Sequence, residues 1–74
     1  MPMKSTRTPR YRRFLAQLRA ARIEAGLTQA QAAKRLKQTQ PFVSRSESGD
    51  RRIDVLELRD FARLYKKPFE YFVD

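Results

Sequence analysis

The side chains best suited to recognising another molecule lie within residues 27–49, in the stretch LTQAQAAKRLKQTQPFVSRSESG. This stretch predicts two short helices joined by a tight turn. The second helix presents Gln40, Ser44 and Arg45 outward, while Val43 points inward. Amide, hydroxyl and guanidinium groups hydrogen-bond to the edges of nucleic-acid bases. The stretch is therefore predicted to be a small rigid platform for base recognition.

The chain is strongly basic, with 17 lysines and arginines against 8 acidic residues and a formal net charge of +9. A charge excess of this kind is typical of a domain that binds nucleic acid, although charge also keeps a small protein soluble. The sequence contains no cysteine and no histidine. This excludes disulfides, zinc fingers, cysteine nucleophiles and histidine general bases. We expect no enzymatic activity, no metal and no cofactor.

Two neighbouring carboxylates do not change this expectation. Glu57 and Asp60 lie three residues apart on a predicted helix, with Arg59 and Arg63 beside them. Such mixed charges predict a solvated helix face rather than a general acid–base pair.

The sequence features that would indicate a membrane or exported protein are weak or absent. No apolar run approaches the ~20 residues that cross a bilayer, and no signal-peptide core follows the start. The first residues are rich in arginine, as transit peptides are, but they lead directly into a helix that the domain needs. That helix is basic and amphipathic, yet the following helices are a better partner for its apolar stripe than a membrane surface. We expect a cytoplasmic, nucleoid-associated protein.

Residues 1–10 predict a flexible basic arm ahead of a single domain over residues 11–74. The arm contains Pro2 and Pro9 with serine and threonine, and it has no apolar periodicity. Every charged side chain in the first 13 residues is a cation. Such an arm suits a phosphate backbone or a minor groove, and it equally suits a solubilising tail.

Apolar periodicity after the arm predicts an all-α fold with helices over residues 11–25, 28–36, 40–48, 55–65 and 68–73. Thr28 and Gln31 match the capping box of a helix start. Thr39 is a second N-cap candidate, and Gly26 and Gly49 are suited to ending helices.

Taken together, these motifs resemble the phage-repressor-like helix-turn-helix family, of the Cro/C1 or XRE type. The resemblance covers about residues 14–73. It rests on Gly-Leu-Thr-Gln at 26–29, the pair Ala32 and Ala33, and Ser-Arg-x-Glu-x-Gly at 44–49. It implies a compact five-helix bundle of the lambda-repressor-like type with a central helix-turn-helix. Members of the family usually bind palindromic operators as two-fold dimers, with the third helix in the major groove.

The resemblance also implies roles for individual residues. The residues expected to read bases are Gln40, Pro41, Ser44 and Arg45, and those expected to contact phosphates are Gln29, Lys37, Arg51 and Arg52. Glutamine pairs with adenine and arginine with guanine, each pair contributing about 1–3 kcal/mol of discrimination. Arg22 and Glu47 match a structural ion pair between the first and third helices.

Three positions depart from the family pattern. Lys37 and Lys66 stand where a glycine is common, and a lysine with left-handed backbone geometry carries a strain of roughly 1 kcal/mol. Ser46 occupies a position that is usually large and apolar, which weakens the packing of the third helix or leaves room for a neighbouring side chain such as Phe42 or Tyr65.

Charge and resemblance together predict a sequence-specific regulator of transcription, a repressor, that binds double-stranded DNA as a homodimer on a palindromic operator. The apolar tail over residues 68–74 is the predicted dimer contact, with part of it closing the core. The alternative is a protein-interaction module, such as an antitoxin or bridging factor, that binds an acidic protein partner.

Overall fold

The computed structural model describes residues 8–73, and these form an all-α fold, as predicted, without a strand in that range. The five helices in chain order are α1 (Pro9–Glu24), α2 (Gln29–Leu36), α3 (Gln40–Ser48), α4 (Val55–Tyr65) and α5 (Glu70–Val73). The predicted bounds of α3 and α4 are confirmed, and α2 begins one residue later than expected because Thr28 is its N-cap.

The start of α1 differs from the prediction. The helix begins at Pro9 rather than at residue 11, and the Thr8 side chain caps it by accepting the Tyr11 backbone N–H at 3.0 Å. Proline is favoured at the first helical position because the N–H it lacks would have no partner there. Thr8, Pro9 and Arg10 were predicted to belong to the arm, but they form the cap and the first residues of α1. The rest of the predicted arm, residues 1–7, lies outside the described residues.

A single core joins the helices. Its buried side chains are Leu18, Ala21, Ala32, Ala33, Val43, Leu58, Phe61, Ala62, Tyr65 and Phe72. The two alanines of α2 are small, which allows close approach of the neighbouring helices. Phe72 shows that part of the tail does close the core, and Gln17 on α1 fixes the tail by donating to the Tyr71 carbonyl at 3.1 Å.

Two lysines end helices with left-handed backbone geometry. Lys37 after α2 has φ 59° and ψ 41°, and Lys66 after α4 has φ 57° and ψ 46°. At each helix end, the residue after the lysine donates its backbone N–H to a carbonyl five residues earlier. Gln38 donates to Ala33 at 2.9 Å, and Lys67 donates to Ala62 at 3.0 Å. This is the Schellman arrangement, which glycine normally completes. The helix-turn-helix turn therefore keeps the geometry of a glycine turn while displaying a cation.

Replacing Lys66 by glycine is expected to raise the free energy of unfolding by about 0.5–1 kcal/mol. The left-handed strain of a side chain, about 1–2 kcal/mol, exceeds the extra chain entropy of an unfolded glycine, about 0.4–1 kcal/mol. Urea denaturation measures the difference. The control is Lys66→Ala, which keeps the Cβ and so gains nothing. Equal stability of the glycine and alanine variants would show that the strain is absent.

Candidate nucleic-acid interface

One side of α3 is anchored in the core and the other is polar and accessible. Gln40, Pro41 and Arg45 are exposed and Ser44 is half-buried, and these positions share one face of the helix. On the opposite side, Val43 is fully buried. The four residues predicted to read bases therefore form one continuous surface.

A buried ion pair ties this helix to α1. Arg22 Nε donates to Glu47 Oε2 at 2.6 Å and Arg22 Nη2 donates to Glu47 Oε1 at 3.2 Å. The side chains are only 10% and 4% exposed. Arg22 Nη1 also donates to the Leu27 carbonyl at 2.8 Å, just before α2. The hydrogen bond to Glu47 raises the pKa of Arg22, against the opposing effect of burial. One guanidinium thus connects α1, α3 and the entry to α2.

A chain of hydrogen bonds leads from this pair to the surface. Gln29 Nε2 donates to Glu47 Oε1 at 3.1 Å, and Gln40 Nε2 donates to Gln29 Oε1 at 2.9 Å. An ionised carboxylate only accepts hydrogen bonds, so Gln29 must present its NH₂ group to Glu47 and its oxygen to Gln40. The orientation of both amides is therefore set by the buried carboxylate. The sequence pointed to Gln29 and Gln40 as DNA contacts and to Glu47 as the partner of Arg22, but it did not predict the hydrogen bonds between them.

The comparison with protein families decides the class. A helix-turn-helix family model matches residues 18–72. The chain belongs to the Cro/C1-type, XRE-like helix-turn-helix family. Members of this family are DNA-binding domains, and the match indicates a DNA-binding regulator of the XRE type. The comparison with curated proteins found no match. Within residues 8–73, this helix-turn-helix domain has no helix long and apolar enough to cross a membrane.

The residues predicted to contact phosphates surround α3 in this domain. Gln29 is the first residue of α2 and is half-buried in the hydrogen-bonded chain. Lys37 is exposed in the turn before α3, and Arg52 is exposed in the loop after it. These positions border both ends of the α3 surface.

Arg51, in the same loop, lies in a cluster within the domain. Its Nη1 and Nη2 donate to Glu57 Oε1 and Oε2 at 2.9 and 2.7 Å. Its Cζ lies 4.3 Å from the centroid of the Phe42 ring. Its Nη1 also lies 3.5 Å from Ser46 Oγ, which itself donates to the Phe42 carbonyl at 2.7 Å. Ser46 is thus bonded to the Phe42 backbone and approached by the Arg51 guanidinium, a contact that the sequence did not predict.

The interpretation of Glu57 as part of a solvated face was wrong. Glu57 is half-buried against Arg51, and it closes a capping box at the start of α4. Asp54 Oδ1 accepts the Glu57 N–H at 2.8 Å, and Glu57 Oε1 accepts the Asp54 N–H at 3.1 Å. The signal was present in the sequence, since an acid three residues after an N-cap aspartate and ahead of an apolar run predicts such a box. Asp60 is exposed.

Removing the buried carboxylate alone should destabilise the domain strongly. Glu47→Leu leaves the Arg22 guanidinium buried without its counter-charge, which costs about 3–5 kcal/mol. Thermal or urea unfolding measures the loss. The matched control is the double variant Arg22→Met with Glu47→Leu, which replaces both charges by apolar groups and should be more stable than Glu47→Leu alone. A single variant as stable as the double one would contradict a buried, coupled pair.

The Arg51–Glu57 pair should make stability depend on acid pH. The hydrogen bond from Arg51 lowers the pKa of the Glu57 carboxyl below its ordinary value of 4.5, in spite of partial burial. A lowered pKa contributes stability that is fully present above pH 4.5 and is lost as the pH falls through the lowered value. Glu57→Gln should therefore lose less stability than the parent when the pH falls from about 5 to about 2. Urea unfolding at the two pH values measures the loss for each protein.

The control for this titration is Asp60→Asn, which removes an exposed carboxylate from the same helix. It leaves the Arg51–Glu57 pair intact, so the effect of Glu57→Gln is measured against it. A Glu57→Gln variant with the parent's full acid dependence would show that the pair does not stabilise the fold.

Proposed function

We propose that this domain is a transcriptional repressor that recognises a specific double-stranded DNA sequence with α3 in the major groove. The observation that supports this most directly is the exposed face of α3, on which Gln40 is oriented by the buried Glu47 through Gln29. Binding to chromosomal DNA gives the protein a cytoplasmic, nucleoid-associated location.

The hydrogen bonds that Gln40 makes within the domain leave a defined set for DNA. One of its two amide hydrogens is used by Gln29, so one N–H donor and the carbonyl oxygen remain. Adenine offers the complement in the major groove, an N7 acceptor and an N6–H donor. Gln40 therefore favours adenine at its position.

The other residues of the face supply different chemistry. Arg45 has the planar fork that pairs with O6 and N7 of guanine, and Ser44 pairs with several base edges. Pro41 lacks a hydrogen-bonding side chain but is exposed beside Gln40. In the proposed complex with DNA it contacts a thymine methyl. The face thus combines donors, acceptors and an apolar surface.

Phosphate contacts fix the register of the domain on the duplex. Gln29 and the free N–H groups at the start of α2 suit a phosphate, and Lys37 and Arg52 place cations before and after α3. Each phosphate neutralised makes the affinity more salt-dependent, by about 0.9 in the slope of log affinity against log salt.

Selection of bound sites from a random duplex pool tests the proposal. We expect a palindromic consensus containing adenine and guanine in each half-site. Gln40→Ala and Arg45→Ala should each weaken binding to that site by about 5–150-fold, since a good base pair contributes about 1–3 kcal/mol. The matched control is Arg59→Ala, which removes an exposed arginine from α4. Uniform weak binding to all sequences would contradict base reading by α3.

We further propose that the domain binds its operator as a homodimer, with a second copy covering an apolar groove. The groove lies between α1, the start of α4 and the tail. It is lined by Val55, Phe69 and Val73, which are 63%, 37% and 49% exposed. The residues that line it also include the cations Arg10 and Arg13 on α1 and the carboxylate Asp54 before α4. In a two-fold dimer, a residue of one copy that contacts Asp54 of the other does so twice, so the arginines and Asp54 can pair across the axis. A palindromic operator requires this two-fold symmetry.

Val55→Asp should weaken self-association and operator binding together, because it buries a charge in the dimer contact. Analytical ultracentrifugation and operator titration measure the two effects. Ile23→Asp is the matched control, since Ile23 is 55% exposed and lies outside the groove. Unchanged association in Val55→Asp would contradict the groove as the dimer contact. A stable monomer without a preferred sequence would favour the alternative, a protein-interaction module for an acidic partner.

A further inference from the structure

We infer that Arg51 is a positioning residue for α3, which sets the placement of the recognition helix on α4, rather than a contact to phosphate. The inference rests on the proposed DNA-binding function and adds to it a determinant of specificity that does not touch the DNA.

Arg51 lies at the outer end of an aromatic column that joins α3 to α4. Its guanidinium lies over the Phe42 ring at 4.3 Å. Phe42 stacks on Phe61 with ring centroids 6.0 Å apart and an interplanar angle of 17°, and Phe61 contacts Tyr65 at 5.8 Å. Phe61 and Tyr65 belong to α4 and are buried. Because Phe42 follows Gln40 by two residues, the column determines where the start of the recognition helix lies.

The Arg51 guanidinium is also held by Glu57 on α4. Glu57 accepts from both Nη atoms, and Glu57 is itself fixed by the Asp54 N–H of the α4 capping box. A planar guanidinium matches a carboxylate with two parallel bonds and stacks on a ring, whereas an ammonium does neither. The pair of Arg51 and Glu57 has no net charge, so it attracts phosphate less than an isolated arginine does.

The last turn of α3 supplies the third anchor. The Arg51 backbone N–H donates to the Arg45 carbonyl at 3.2 Å. Ser46 is fully buried, and its Oγ lies 3.5 Å from Arg51 Nη1. A large apolar side chain at position 46 would take up space next to the guanidinium. The small serine and the arginine therefore form one arrangement that fixes both ends of α3.

The salt dependence of binding separates positioning from phosphate contact. If the cation of residue 51 paired with a phosphate, Arg51→Lys would keep that charge and preserve affinity, and loss of the ion pair would reduce the salt slope by about 0.9. Positioning needs the planar fork, so a lysine fails although the charge is kept.

The experiment compares operator and scrambled duplexes across a salt series for the parent domain, Arg51→Lys and the matched control Arg59→Lys. We expect Arg51→Lys to lose about 5–150-fold in operator affinity, the range of one lost base contact. Its affinity for scrambled DNA and its salt slope should stay at parental values, and Arg59→Lys should bind like the parent. Parental operator affinity in Arg51→Lys would overturn the inference.

Glu57→Gln gives a test with opposite outcomes for the two roles. It raises the net charge from +9 to +10 by removing one carboxylate, and glutamine still completes a capping box. Freeing the Arg51 cation would strengthen operator binding if Arg51 contacted phosphate. If Arg51 positions α3, operator affinity falls in spite of the added charge. Circular dichroism at the assay temperature confirms that each variant is folded.

The inference is also tested without DNA. In Arg51→Lys, the nuclear Overhauser contacts between the Phe42 and Phe61 rings should weaken, and the amide signals of α3 should shift. Unchanged ring contacts would overturn the positioning role. If the parent domain prefers no DNA sequence, the proposed function fails, while this measurement still decides whether Arg51 holds α3.

Discussion

The Arg22–Glu47 ion pair is the interaction on which the rest of the domain depends. Removing two charges from water is costly unless the pair is well formed and its remaining hydrogen-bonding groups find partners. Here the guanidinium also bonds the Leu27 carbonyl, and the carboxylate also accepts from Gln29. The pair is therefore satisfied by contacts that together fix the entry to α2, the position of α3 and the amide of Gln40. One network of hydrogen bonds therefore both stabilises the interior and orients a side chain on the surface.

The recognition helix is held by two arginine–carboxylate pairs of different character. The first is buried and connects α3 to α1. The second, Arg51 with Glu57, is half-exposed, stacks on Phe42 and connects α3 to α4. Both pairs are internally neutral, so the excess positive charge of the chain resides in other side chains. Lys37 is one of these, and it borders α3 at the turn. The domain thus separates the charges that fix its geometry from those available to a polyanion.

The parts of this structure that the sequence could predict are those set by residues close together in the chain. Helices α2 to α4 follow from apolar periodicity and from caps such as Thr28, which act within a few residues. The family resemblance added the pairing of Arg22 with Glu47. The Gln29 link between Glu47 and Gln40 was beyond prediction, because it depends on where a side chain of α2 meets two side chains of α3. The contact of Arg51 with Glu57 crosses a loop and has no helical spacing. The roles proposed for the α3 face on DNA remain predictions.

The most direct test of the account is a titration of ¹⁵N-labelled domain with its selected duplex, followed by nuclear magnetic resonance. The account predicts that the largest shifts fall on the backbone amides of α3 and on the side-chain NH₂ signals of Gln29 and Gln40. It also predicts that the two glutamine signals respond together, because Glu47 orients both through one chain of hydrogen bonds. Large shifts confined to the groove between α1 and the tail, with the two glutamine signals unmoved, would contradict it.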